Sequence, residues 1–133
     1  MAAGRYSFVI EQGATLDFQI DYKDSGSNPI DLSKYHAKMQ IKSDYGTSGT
    51  TFITLSSSLD PDGTGLNLSG SSGTIPLSSG SIGVKISANS SSQFSFGEAF
   101  YDLELISGST YPVVTRILEG KVQLSKEVTT GTY

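Results

Sequence analysis

The chain has 133 residues, a net charge of −4 and only 17% charged side chains. That length is one domain able to bury its own core, so no disulfide or metal staple is required, and the lack of cysteine excludes thiol chemistry. An acidic balance without any Lys/Arg cluster excludes nucleic acid and anionic membrane as partners, and no run approaches the roughly 20 apolar residues of a membrane helix.

The N-terminal sequence MAAGRYSFVIEQG holds no signal-peptide apolar stretch, so the protein is expected to be made and used without export. Tyr6, Phe8 and Ile10 then alternate up to Gly13. Leu16, Phe18, Ile20 and Tyr22 alternate against Asp17, Gln19 and Asp21. Alternation with period two predicts strands with one buried face and one wet face. The string Asp24-Ser25-Gly26-Ser27-Asn28-Pro29 predicts a turn. Another strand follows with Tyr35, Ala37, Met39 and Ile41 inside, and a short one over 52–55. Local disorder is expected near 47–50 and 69–72, where small polar residues crowd.

Asp60-Pro61-Asp62-Gly63 predicts a turn. Leu66 and Leu68, a Gly/Ser turn, then Ile75 and Leu77 follow, with Pro76 between the last two at a strand edge or end. Ile82, Val84 and Ile86 alternate cleanly. Residues 88–96 predict at most one helical turn, with Phe94 and Phe96 packed under a loop. Three C-terminal strands are expected, carrying Tyr101, Leu103 and Leu105, then Val113, Thr115 and Ile117, then Val122 and Leu124. Gly120 predicts a bulge that bends the last one. Composition agrees, since Ser and Thr make up about a quarter of the chain and there are 15 glycines. The expected fold is all-β, an antiparallel two-sheet sandwich of eight to ten strands, immunoglobulin-like or jelly-roll-like, over one domain, 1–133.

Candidate chemistry is thin. The single histidine, His36, falls on the wet face of its strand, without the carboxylate and nucleophile that catalysis requires. Asp60-x-Asp62-Gly63-x-Gly65 faintly resembles a calcium loop, but Ser71 stands where the closing glutamate belongs, so an ordinary turn is expected. Asp102 and Glu104 share a wet face, where edge protection and cross-strand pairing with Arg116 and Lys121 explain them better than glycosidic chemistry. Neither Gly63-x-Gly65 nor Gly70-x-x-Gly73 has the context of a phosphate cradle. Asn67-Leu68-Ser69 and Asn89-Ser90-Ser91 match the glycosylation triplet, which carries no meaning without export. No enzyme activity, cofactor or metal is expected.

The strings FVIEQGATLDFQIDYKDSGSNPIDLSKYHAKMQIKSD, LSGSSGTIPL, IGVKIS, YDLEL, TRILEGKV and SKEVT follow one another along nearly the whole chain. In that order the chain resembles a family of small β-sandwich virion proteins of tailed bacteriophages. It is similar, more loosely, to the N-terminal domain of the phage baseplate upper protein. The resemblance implies a non-enzymatic structural role in the virion, assembled in the host cytoplasm, most simply at the tail baseplate or where fibres attach. A capsid decoration protein is the alternative. A host-surface carbohydrate-binding module is the third reading, with Tyr22, Tyr45, Tyr101 and Tyr111 as the available aromatics. Expected partners are other virion proteins and copies of the chain itself, in symmetric assemblies. Residues 1–5 and 126–133 are expected as assembly arms, with Ser125, Lys126, Glu127, Val128 and Tyr133 as contacts.

Overall fold

Hydrophobic alternation is converted here into two packed sheets. The computed structural model describes residues 4–44, 49–108 and 110–128. Nine strands run in chain order: β1 (Gly4–Arg5), β2 (Phe8–Glu11), β3 (Leu16–Asp21), β4 (Tyr35–Lys42), β5 (Thr51–Ser56), β6 (Gly65–Asn67), β7 (Ser81–Ile86), β8 (Glu98–Ser107) and β9 (Val113–Ser125). The large sheet has the order β1-β9-β8-β4-β5, with β2 also on β9, and the small sheet has the order β3-β7-β6. The chain is thus an all-β sandwich. The small sheet matches the B-E-D half of an immunoglobulin domain, and β9-β8-β4-β5 matches its G-F-C-C′ half.

The pairing is not antiparallel throughout. β1 and β2 run parallel to β9, from Gly4 opposite Leu118 to Glu11 opposite Ser125. The physical reason lies at Tyr6 and Gly120. The Tyr6 N–H donates to the Glu119 carbonyl at 3.0 Å. The Tyr6 carbonyl turns inward and accepts from the buried Tyr101 hydroxyl. The ladder is completed at this step by a side chain, since the Lys121 N–H donates to the Ser7 hydroxyl. A Cβ at Gly120 would overlap the Tyr6 carbonyl oxygen, so glycine is what lets the N-terminal strand approach.

That use of Gly120 replaces the expected bulge. Residues 113–125 form one continuous strand, not two. The register break lies three residues earlier, where Leu103 faces Leu118, Glu104 faces Arg116, and Ile117 is the extra residue. A bulge re-aims side chains, and here it places Ile117 in the core.

The core is built from the inward positions the alternation marked. Ile10, Met39, Ile41, Ile82, Val84, Ile86, Leu103 and Val122 are all completely buried. One end is closed by rings from both sheets. Phe8 lies 5.1 Å from Phe18 and 4.9 Å edge-on from Tyr101. At the other aromatic cluster Phe96 stacks on Phe52 at 4.6 Å and tilts against Phe94 at 5.4 Å. Phe94 and Phe96 are buried, as expected for a packed loop.

The helical turn forms as α1 (Ala88–Ser91), started by the Ser87 hydroxyl accepting from the Ser90 N–H. Its buried Ser91 hydroxyl donates to the Ala14 carbonyl at 2.8 Å and accepts from the Gly13 N–H at 3.0 Å, fastening the β2–β3 turn. A second, unexpected 3₁₀ turn spans Leu77–Ser79. It stands where Ile75 and Leu77 suggested the edge or end of a strand. Pro76 cannot donate to a ladder and sits at its start, while the Leu77 carbonyl accepts from Leu32 N–H. Residues 69–72, expected to be locally disordered, instead lie across the small sheet. The Ser71 N–H donates to the Gln19 side chain at 3.1 Å, and any Cβ at Gly83 would overlap the Ser71 backbone.

Two substitutions separate the parts of the N-terminal clasp. Gly120→Val is expected to lower unfolding free energy by about 2 kcal/mol or more, because the clash is with backbone that cannot yield. Tyr101→Phe is expected to cost about 1–2 kcal/mol by stranding a buried carbonyl. Urea unfolding of both variants checks the order.

Candidate functional site

Alternation on the large sheet sends one set of polar side chains outward together. Gln40 from β4, Asp102 and Glu104 from β8, and Arg116 and Glu119 from β9 line an open hollow of about 300 Å³. Arg116 organises it. Its Nε lies 3.2 Å from Asp102 Oδ2 and its Nη1 3.8 Å from Glu119 Oε2. The bulge at Ile117 explains this choice. Glu104 is the residue directly opposite Arg116, yet the ion pair runs diagonally to Asp102. Lys121 sits opposite Phe100 and, among the described residues, forms no ion pair with either β8 carboxylate. Of the two expected cross-strand cations, Arg116 therefore pairs and Lys121 does not. The side chains of Arg116 and Asp102 are 51% and 37% exposed, so their attraction is screened and contributes little to stability. Neither β8 carboxylate sits in the apolar pocket that a glycosidic acid requires.

His36 is exposed on the same outer face, opposite Ile106. The Asp60–Gly65 string forms a turn by its own hydrogen bonds. Asp60 N–H donates to the Thr64 carbonyl, Gly63 N–H donates to the Asp60 carbonyl, and Asp62 Oδ1 accepts from the Thr64 N–H at 3.0 Å. The Ser87 hydroxyl, and then the Thr64 N–H, hold the Asp62 carboxyl below its ordinary value of 3.8. Among the described residues, no three His, Asp or Glu side chains converge as metal ligands would. Asn67 is engaged in its own turn, with Oδ1 accepting from Ser69 N–H at 2.9 Å.

The tyrosines available to a carbohydrate-binding reading are placed apart among the described residues. Tyr101 belongs to the core, Tyr22 is half-buried beside it, and Tyr111 stands 87% exposed on the β8–β9 turn. Tyr45 lies outside the described residues.

The expected assembly residues begin on the molecule itself. Ser125 closes β9, and its carbonyl accepts from Gln12 N–H at 2.9 Å. The Glu127 N–H donates to Gln12 Oε1 at 3.1 Å, while Gln12 Nε2 donates to the Phe94 carbonyl at 2.7 Å. Lys126 is exposed, and Val128 is 97% exposed. Tyr133 and residues 1–3 lie outside the described residues.

One feature was overlooked in the residue pattern. Tyr111, Val113 and Val114 are all exposed at the end of the β8–β9 hairpin. Val114 faces Ile106, which faces His36, so a row crosses the outer face, and Val113 lies on the opposite face beside Ser107. The signal was available in the consecutive valines. Adjacent apolar residues on a strand cannot both point at one core.

No family model and no curated protein matches this chain.

Asp102→Ala is expected to change stability by less than about 1 kcal/mol, checked by thermal unfolding at low and high salt. The Asp62 carboxyl favours the folded state above its unfolded value of 3.8, and that contribution is lost as pH falls through the lower folded value. An NMR pH titration of Asp62 is expected to give a midpoint below 3.8, and millimolar calcium is expected to leave its signals in place.

Proposed function

We propose that this chain is a non-enzymatic structural protein of a tailed-phage virion, placed in the tail at the baseplate or where fibres attach. It works through contacts with copies of itself and with other virion proteins. The observation that carries this reading is the gathering of exposed apolar side chains, Tyr111, Val113 and Val114, at one end of a sandwich whose other inward positions are filled. Apolar residues exposed singly need no explanation, but three at one hairpin end, on both faces of the strand, fit a protein contact. The virion setting rests on the resemblance of the chain's segments to phage virion proteins alone. The fold alone supplies no function, since immunoglobulin-like sandwiches serve many.

Electron microscopy of purified virions labelled with an antibody against this chain tests the reading. Label at the tail tip or fibre attachment is the expected result. Label over the head moves the protein to capsid decoration. Virions without label, and without the chain by mass spectrometry, overturn the proposal.

A further inference from the structure

The outer face of the small sheet carries a further cleft, of about 130 Å³. Its floor is β7, where Gly83 and Lys85 face outward because Ile82, Val84 and Ile86 fill the core. Register places Asp17 of β3 and Gly65 of β6 on either side of Lys85, and Gln19 and Asn67 on either side of Gly83. The turn at Gly63 lies against Lys85, while the segment through Ser71 and Gly73 lies against Gly83 and Asn67. The bond from Ser71 N–H to Gln19 holds that segment in place.

Two nitrogen donors line this cleft without a partner. Lys85 is half-buried, yet among the described residues its ammonium makes no hydrogen bond and no ion pair. Asp17 is its direct cross-strand neighbour, and opposite charges so placed commonly pair. The lysine stem instead runs along Gly63, where a Cβ would lie 3.1 Å from Nζ and 3.4 Å from Cδ. Asn67 uses Oδ1 to accept from Ser69 N–H, and its Nδ2 donates to nothing among the described residues. Gly73 faces that nitrogen in the same way, since a Cβ there would lie 3.3 Å from it. Both glycines have positive φ, 87° at Gly63 and 75° at Gly73. Glycine thus leaves room beside each free donor, where a side chain would intrude.

We propose that this cleft binds a carboxylate group, whose two oxygens are shared between Lys85 Nζ and Asn67 Nδ2. Both groups are donors, so the ligand supplies acceptors, and the ammonium favours a charged one. Asp62, next to Gly63, does not compete for Lys85, because its Oδ1 accepts from Thr64 N–H. Asp17 on the rim repels a phosphate dianion about twice as strongly as a monoanion at the same distance. The cleft is small enough to select a carboxyl group on a short stem. A small organic acid and the Asp or Glu side chain of another protein present that same group. The site stands apart from the virion reading and does not depend on it.

Two-dimensional NMR titration of the full chain with sodium acetate, at pH 7 and constant ionic strength, tests the site. Saturable shifts at Gly63, Asn67, Gly73 and Lys85 are the expected result. Lys85→Met keeps the stem along Gly63 and is expected to weaken binding about tenfold or more. Lys38→Met, which alters an exposed lysine of the large sheet, is expected to leave it unchanged. Asp17→Asn removes the like charge on the rim and is expected to tighten binding about threefold. Acetate that gives no saturable shift overturns the site, and so does binding that Lys85→Met leaves intact. Inorganic phosphate that binds more tightly than acetate overturns the carboxylate assignment. A terminally blocked peptide with one glutamate, bound about tenfold more tightly than acetate, supports the site and makes a protein side chain its source. A peptide bound no better than acetate supports the site with a small acid as its source.

Discussion

The sheet that the N-terminal strand joins decides most of what this molecule presents. In an immunoglobulin constant-type domain the first strand lies beside the second, in the same sheet. Here β1 and β2 cross to the other sheet and run parallel to β9. That choice depends on two residues far apart in the chain. Gly120 yields space to the Tyr6 carbonyl, and Tyr101 caps that carbonyl with its hydroxyl. The same tyrosine ring meets Phe8 in the core, and Phe8 meets Phe18 from the opposite sheet. One small backbone allowance therefore couples strand choice to the packing between layers. Among the described residues it also leaves β3 as an edge and covers β9 only along its second half.

The polar layer outside the core is engaged rather than idle. The outer carboxylate Asp102 is committed to Arg116, the loop carboxylate Asp62 to Thr64, and Gln12 bridges Glu127 and Phe94. Among the described residues, no buried side-chain nitrogen or oxygen lacks a partner. Groups held in this way stiffen loops and fix register, and their geometry explains them without a bound substrate. Exposed apolar side chains stand instead at the end of the β8–β9 hairpin, as Tyr111, Val113 and Val114.

The fold was legible wherever one face of a strand is dry. Met39, Ile41 and Leu103 are inward because their neighbours of opposite parity are polar. The short helix was legible from the lapse of alternation after Ile86. Three features were not. Strand direction carries no periodicity, so the parallel pairing of β2 with β9 left no trace in the pattern. A glycine signals a close approach or a bend with equal force, and Gly120 was read as the bend. Pro76 broke a strand that Ile75 and Leu77 suggested, and the 3₁₀ turn follows from the donor it lacks. The outward placement of His36, Asp102 and Glu104 was legible, as alternation required. The hairpin end was visible in Val113 and Val114, but only if adjacency is weighed as heavily as alternation.

The parallel clasp has a mechanical side. Its N-terminal strand enters at the level of Leu118 and β9 leaves at Ser125, so the two chain ends depart in opposite directions along one ladder. Tension applied between them loads the hydrogen bonds of β1, β2 and β9 in shear, together, rather than peeling them one after another. The rings of Tyr6 and Phe8 on that strand also pack on Phe18 of β3, so drawing the strand out drags both across it. A domain threaded in this way yields late under a pull along its termini, and easily under a pull across the hairpin end. Its resistance to force is thus a matter of direction, set by the sense in which two strands lie side by side.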